Sequence, residues 1–151
     1  MNTDEIIPGR FLNITDPKEL ASHSMQGIDS NFFKKFRKGD IIVTGKNFGC
    51  GSSREQAAMC LKYAGVGAIV AKSFARIFYR NAINLGLPIF ESLTIGEDMQ
   101  NMDEIEINST TFIIKNVTKN LELELQPLPA FIQEIINDGG LISHLQKKMK
   151  S

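Results

Sequence analysis

The chain has 151 residues, 42% of them hydrophobic and 23% charged, and its 17 basic and 17 acidic side chains cancel. That length and balance fit one globular domain with a core of its own, and they leave no global field to attract nucleic acid or an anionic membrane surface. Cys50 and Cys60 lie outside any CxxC pattern, which excludes a zinc ribbon or a disulfide scaffold and fits a reducing cytoplasm, and no apolar run approaches the roughly 20 residues that span a bilayer.

Taken in order, Asn2, Thr3 and Asp4 read as turn formers, Ile6 and Ile7 as buried, and Pro8 with Gly9 as the end of the segment. An exposed run from Phe11 to Thr15 leads to Asp16 and Pro17, an N-cap and a first-turn proline opening a helix with Leu20 and Ala21 on its apolar face. The stretch from Ile28 to Phe36 has no clear period and offers Phe32, Phe33 and Phe36 as core anchors. A turn at Lys38 to Asp40 enters a buried strand at Ile41 to Thr44, and a glycine-rich loop follows. From Ser53 onward Ala57, Cys60, Leu61 and Ala64 recur at helical spacing until Gly65; Cys60 is a small buried hydrophobe in this reading. Ala68 to Val70 reads as a strand, Phe74 to Asn84 as a helix ended at Gly86, and Leu87 to Phe90 as another strand. Two linked crossovers predict a mainly parallel sheet. The character then changes. Ile105 to Ile107, Thr111 to Ile114 and Leu121 to Leu125 are short alternating strands of an antiparallel meander or small barrel, with Asp103, Glu104 and Glu106 on a solvated face. Pro127 to Ile136 reads as a helix with Phe131, Ile132, Ile135 and Ile136 inward. After Gly139 and Gly140, Leu141 to Met149 forms a last amphipathic helix whose lysines suit its C-terminus.

The loop GKNFGCGSSREQA, residues 45–57, is where chemistry concentrates. A glycine-rich turn from a strand into a helix presents unpaired N–H groups and the positive end of the helix dipole, a setting for a small anion, to which Arg54 adds a full charge. Gly45, Gly49 and Gly51 are expected to take positive φ and let the backbone approach a ligand. The phosphate-loop pattern fails, because Cys50 stands where its second glycine is needed and no lysine follows. The dinucleotide pattern fails at Arg54, and no GxSxG elbow is present. Ser52 and Glu55 match the S-x-x-E capping box, so spacing alone leaves capping and catalysis both open for Ser52.

Four ordered motifs, NTDEIIPGRFL at 2–12, the loop at 45–57, AKSFARIFYRNAINLGLP at 71–88 and GGLISHL at 139–145, resemble the small subunits of 3-isopropylmalate dehydratases, a family of the aconitase superfamily. The resemblance covers nearly the whole chain and is weakest from Ser92 to Pro129. It implies one α/β domain over residues 1–151: a swivelling β/β/α three-layer domain with a mixed sheet or small barrel, like the fourth and last domain of aconitase. Such a domain closes over a large subunit carrying a 4Fe-4S cluster on three cysteines. Two cysteines are too few to hold such a cluster here by three thiolates, so this chain alone is expected to bind neither cofactor nor metal. The implied activity is a hydro-lyase that interconverts 2- and 3-isopropylmalate by dehydration and rehydration in leucine biosynthesis, on a small dicarboxylate. It is active only with the large subunit, as a heterodimer or heterotetramer.

In residue terms the resemblance makes Ser52 the base that takes a proton from the carbon next to a carboxylate, and Ser53 and Arg54 the holders of substrate carboxylate. It places substrate specificity in Phe11, Leu12, Asn13, Ile14 and Thr15, where aconitase and homoaconitase carry an arginine for a third carboxylate. No cation stands there in this chain, which favours an apolar substituent. Arg10 just before the loop keeps homoaconitase open, and dimethylmalate dehydratase is a further alternative. Of another class is a non-catalytic anion-binding or regulatory domain. Lys72, Arg76, Arg80, His23 and His144 receive no role. Relatives usually carry a strand-forming segment ahead of the NTD motif, so either the chain starts short with an exposed sheet edge or its start lies upstream.

Overall fold

The computed structural model describes residues 1–96 and 98–150. Strands β1 (Ile41–Val43), β2 (Ala68–Ala71) and β3 (Ile89–Glu91) form a parallel sheet in the order β1-β2-β3. Helix α4 (Glu55–Ala64) makes the first crossover and α5 (Arg76–Asn84) the second. Both faces of this sheet are apolar, and the two-residue period of a strand divides them. Ile42, Ile69, Ala71 and Ile89 point into a cluster with Ala57, Cys60 and Leu61 of α4 and Phe78 and Ala82 of α5. Ile41, Val43, Ala68, Val70 and Phe90 point the other way.

That second face meets the meander of β4 (Ile105–Asn108), β5 (Ile113–Asn116) and β6 (Leu121–Glu124). Its register aligns Ile107 with Ile114 and Ile114 with Leu123, an apolar row across all three strands that packs on the parallel sheet. The layers are therefore meander, parallel sheet and helices, the β/β/α order that the resemblance implied. Parallel and antiparallel strands occupy separate sheets, and among the described residues the meander is a linear three-stranded sheet rather than a closed barrel.

The helical layer is completed by α1 (Thr3–Ile6), α2 (Pro17–Ser22), α3 (Phe32–Lys35), α6 (Ala130–Asn137) and α7 (Leu141–Lys150). Several expectations change here. The residues Asn2 to Asp4 are not a turn: Asn2 accepts from the Glu5 amide at 2.9 Å and Glu5 reaches back to the Asn2 amide at 3.3 Å, a capping box that starts α1 and buries Ile6 and Ile7 completely. Phe131 is 62% exposed, so α6 packs through Ile132, Ile135 and Ile136 alone. Asp103 is not on a solvated face: its side chain is 8% exposed, accepts from Asn116 Nδ2 at 2.8 Å and pairs with Lys119 at 3.6 Å. Phe32 and Phe36 stack at 5.6 Å and pack on the core, whereas Phe33 stays 40% exposed.

Candidate active site

Loops leaving the C-terminal ends of β1 and β2 emerge on one edge of the parallel sheet, and the space between them is where ligands bind in open α/β folds. The first is the glycine-rich loop. Its left-handed backbone falls at Asn47, Gly49 and Gly51, with φ of 56°, 86° and 99°, and not at Gly45. Gly49 is fixed by contact as well as by φ, since a Cβ there would stand 2.4 Å from Cβ of Phe78 on α5. Two neighbours hold the loop. On one side the Thr3 amide donates to Cys50 O at 2.8 Å, the Thr3 hydroxyl to Ser52 O at 3.0 Å and the Gly49 amide to Met1 O at 2.8 Å. On the other, the Phe48 amide donates to Ser73 O at 3.1 Å and the Ala75 amide to Phe48 O at 2.9 Å.

The capping box that the spacing left open at Ser52 does not form. Helix α4 begins at Glu55, with Arg54 at the N-cap in an extended conformation and no side-chain cap. Glu55 therefore sits in the first helical position, not the third, and cannot close the reciprocal pair. Ser52 and Ser53 are exposed loop residues, and no hydrogen bond engages either hydroxyl among the described residues. Arg54 is held instead. Its Nη1 donates to Asp4 Oδ1 at 3.1 Å and to Ile7 O at 3.0 Å, and its side chain is 18% exposed. The Arg54 hydrogen bond, followed by that from the Gly9 amide, keeps the Asp4 carboxyl below its ordinary value.

Ser52, Ser53 and Arg54 come together on the wall of a cavity of about 160 Å³. Thr3, Gly49 and residues 51–54 form one side; the start of α5, residues 75–78, forms the other. Ala75 at the N-cap of α5 offers no side chain to the first-turn amides, so that end of the helix keeps its positive potential. Arg76, left without a role by the sequence, stands on this wall and is exposed. The signal that points to it is topological: consecutive crossovers bring both βα loops to the same sheet edge.

The run from Phe11 to Thr15 is not part of that wall. It follows a 3-10 turn at Gly9–Phe11, and Phe11, Leu12 and Ile14 pack on the helical side of the core while Asn13 and Thr15 are exposed. Phe11 stacks on His23 at 3.9 Å, and the Arg10 guanidinium lies 4.6 Å over the Phe11 ring. His144 is buried in a separate cluster with Asp138, 2.7 Å away. Cys50 is partly buried with its thiol 3.8 Å from Met1 O, and burial pushes the Cys60 thiol up to about 12. Among the described residues no three His, Cys, Asp or Glu side chains stand together as metal ligands. The residues of this chain do not fit an iron–sulfur cluster.

The family model for the aconitase C-terminal domain matches residues 12–92. A 3-isopropylmalate dehydratase small subunit from Caldanaerobacter subterraneus subsp. tengcongensis is 53% identical over 150 residues, covering 99% of this chain and 93% of that relative. An isopropylmalate/citramalate isomerase small subunit from Methanocaldococcus jannaschii is 54% identical over 149 residues, 99% of this chain and 89% of the relative. The crystal structure of a 3-isopropylmalate dehydratase from the same archaeon superposes with a TM-score of 0.93 at 49% identity, over 98% of this chain and 87% of that one. Fold, loop and near-full-length identity agree: the chain belongs to the aconitase C-terminal domain family, among the small subunits of 3-isopropylmalate dehydratases.

Proposed function

We propose that this chain is the small subunit of a 3-isopropylmalate dehydratase, a hydro-lyase that interconverts 2- and 3-isopropylmalate in leucine biosynthesis in the cytoplasm. The observation that carries this reading is Ser52, whose hydroxyl is engaged by no other group among the described residues and which lines one cavity with Arg54. Ser52 takes the proton from the carbon next to a carboxylate while the hydroxyl on the adjacent carbon leaves and the C–H electron pair forms the double bond, and it returns the proton when water is added back. A serine oxyanion is a strong base and needs positive potential around it, which Arg54 and the uncapped start of α5 supply once water is excluded. Ser53 and Arg54 hold the carboxylate, Arg54 through the N–H groups that Asp4 and Ile7 leave free. The segment Phe11, Leu12, Asn13, Ile14 and Thr15 sets specificity against a third carboxylate when the full site is assembled, its apolar side chains offering no counter-charge.

The cavity of about 160 Å³ is smaller than the about 300–1,000 Å³ of complete ligand sites, which supports reading it as half of a site closed by a large subunit. We assign the 4Fe-4S cluster implied by the family to that large subunit, in a heterodimer or heterotetramer. A second reading within the same chemistry adds citramalate, favoured by the 54% identity to an isopropylmalate/citramalate isomerase small subunit.

The test is to produce the chain with a large iron–sulfur subunit, reconstitute the pair anaerobically, and compare turnover of 2-isopropylmalate, citramalate, homocitrate and dimethylmalate. Turnover of isopropylmalate, with or without citramalate, is expected; failure to copurify or to act on any of the four overturns the reading. Ser52→Ala is expected to lower kcat by at least about 10²-fold while the pair still assembles. Near wild-type activity in that variant removes Ser52 from the chemistry.

A further inference from the structure

The walls of the cavity contain two arginines and no acidic residue. Their situations differ. Arg54 is tied through Nη1 to Asp4 and to the Ile7 carbonyl, so its charge is partly compensated and its plane is fixed. Arg76 lines the same cavity from the first turn of α5, exposed, with no hydrogen bond, ion pair or ring contact among the described residues. A free guanidinium sharing a cavity with a second cation raises its positive potential, which an arriving anion would relieve. The substrate class proposed above carries two carboxylates on a short carbon frame. One arginine per carboxylate in a single cavity matches that charge.

We propose that Arg76 is a second carboxylate ligand of this site, taking the substrate carboxylate that Ser53 and Arg54 do not hold. The assignment rests on the dicarboxylate reading given above. Arg54 orients the end of the substrate from which the proton leaves; Arg76 anchors the opposite end and sets the direction in which the molecule lies. A planar fork on a helix start positions a carboxylate in a way that the point charge of a lysine does not.

The experiment is steady-state kinetics of Arg76→Ala and Arg76→Lys in the reconstituted two-subunit enzyme, with subunit affinity measured alongside. Loss of a charge-assisted pair predicts a KM for 2-isopropylmalate about tenfold to a hundredfold higher in Arg76→Ala. The value of kcat should change little, Arg76→Lys should recover part of the loss, and affinity for the large subunit should be unchanged. A monomethyl ester blocking the carboxylate that Arg76 holds should weaken binding in the wild type and weaken it little further in Arg76→Ala, since both changes delete the same interaction. An unchanged KM overturns the proposal, and so does a loss of subunit affinity at unchanged KM, which makes Arg76 a docking residue. If the wild-type pair turns over no dicarboxylate, the functional reading falls, and Arg76 is decided separately by titrating the isotopically labelled chain with malate. Movement of the Arg76 Nε–H resonance supports the ligand role, and a resonance that stays still overturns it.

Discussion

Arg54 reaches across 50 positions of sequence to Asp4. The contact is made by a residue whose backbone is extended, at the N-cap of a helix that starts only at Glu55. Asp4 receives both the Arg54 Nη1–H and the Gly9 amide on the same oxygen, Oδ1, so a single acceptor orients the guanidinium and the entry to the segment at residues 11–15. An asparagine keeps an oxygen in that place; an alanine does not. Asp4→Ala is therefore expected to raise KM for the dicarboxylate several-fold by loosening Arg54, and Asp4→Asn much less. Because the Asp4 side chain is 70% exposed, neither change should alter the folded fraction measurably. Equal KM values in the wild type and both variants would show that Arg54 needs no such orientation.

Among the elements, the contact between the loop and α5 is the least tolerant of change. Gly49 combines φ of 86° with a Cβ position 2.4 Å from Phe78, whose ring also meets Phe48 edge-on at 5.1 Å. Neither wall can retreat, since Phe48 is wholly buried and Phe78 is 2% exposed. Gly49→Ala should cost about 2–4 kcal/mol of stability from backbone strain and overpacking together, read as a lower denaturation midpoint. A midpoint unchanged within error would mean that the loop and α5 are not rigidly packed. The sequence reading recovered the helix and strand order around this contact, because the crossover units carry apolar periods of 3.6 and 2 and glycine stops at Gly65 and Gly86. It found the parallel sheet and the meander for the same reason. It left a capping box open at Ser52 and read Asn2 to Asp4 as a turn, because Asn2 to Glu5 and Ser52 to Glu55 have the same spacing and spacing alone does not say which of them starts a helix. Left-handed backbone at Asn47 in place of Gly45 was likewise invisible, since glycine permits that conformation without requiring it. Ser52, Ser53 and Arg54 were legible as a group from one motif; Arg76 was not, because its relation to them runs through the sheet edge.

Across the whole molecule, α5 links the cavity to the C-terminal hairpin. Its first turn forms one cavity wall, while its far end is packed so closely that a Cβ on Gly86 would stand 2.5 Å from the Gly139 carbonyl carbon and one on Gly140 would stand 2.4 Å from Asn84 O. The hairpin of α6 and α7 is closed by Asp138, which accepts from His144 Nδ1 at 2.7 Å and from Lys147 Nζ at 3.1 Å. These two hydrogen bonds, that of His144 first, hold the Asp138 carboxyl below its ordinary 3.8. A carboxylate with a depressed folded-state pKa contributes stability that is present above the unfolded value and is lost as pH falls through the folded one. The wild-type chain should thus lose this contribution on acidification below about pH 4, and Asp138→Asn should lack it throughout. The expected result is a variant less stable than wild type near pH 7, with the gap narrowing as the pH falls below the ordinary carboxylate range and Asp138 takes up its proton. Denaturation midpoints measured across that range give the comparison, and hydrogen exchange locates it, because faster exchange in α7 should extend into the last turn of α5 through the Gly86 and Gly140 contacts. A gap that stays constant with pH would assign the loss to packing rather than to the ionised carboxylate. Exchange confined to α7 would show that the hairpin does not brace the helix on which the cavity is built.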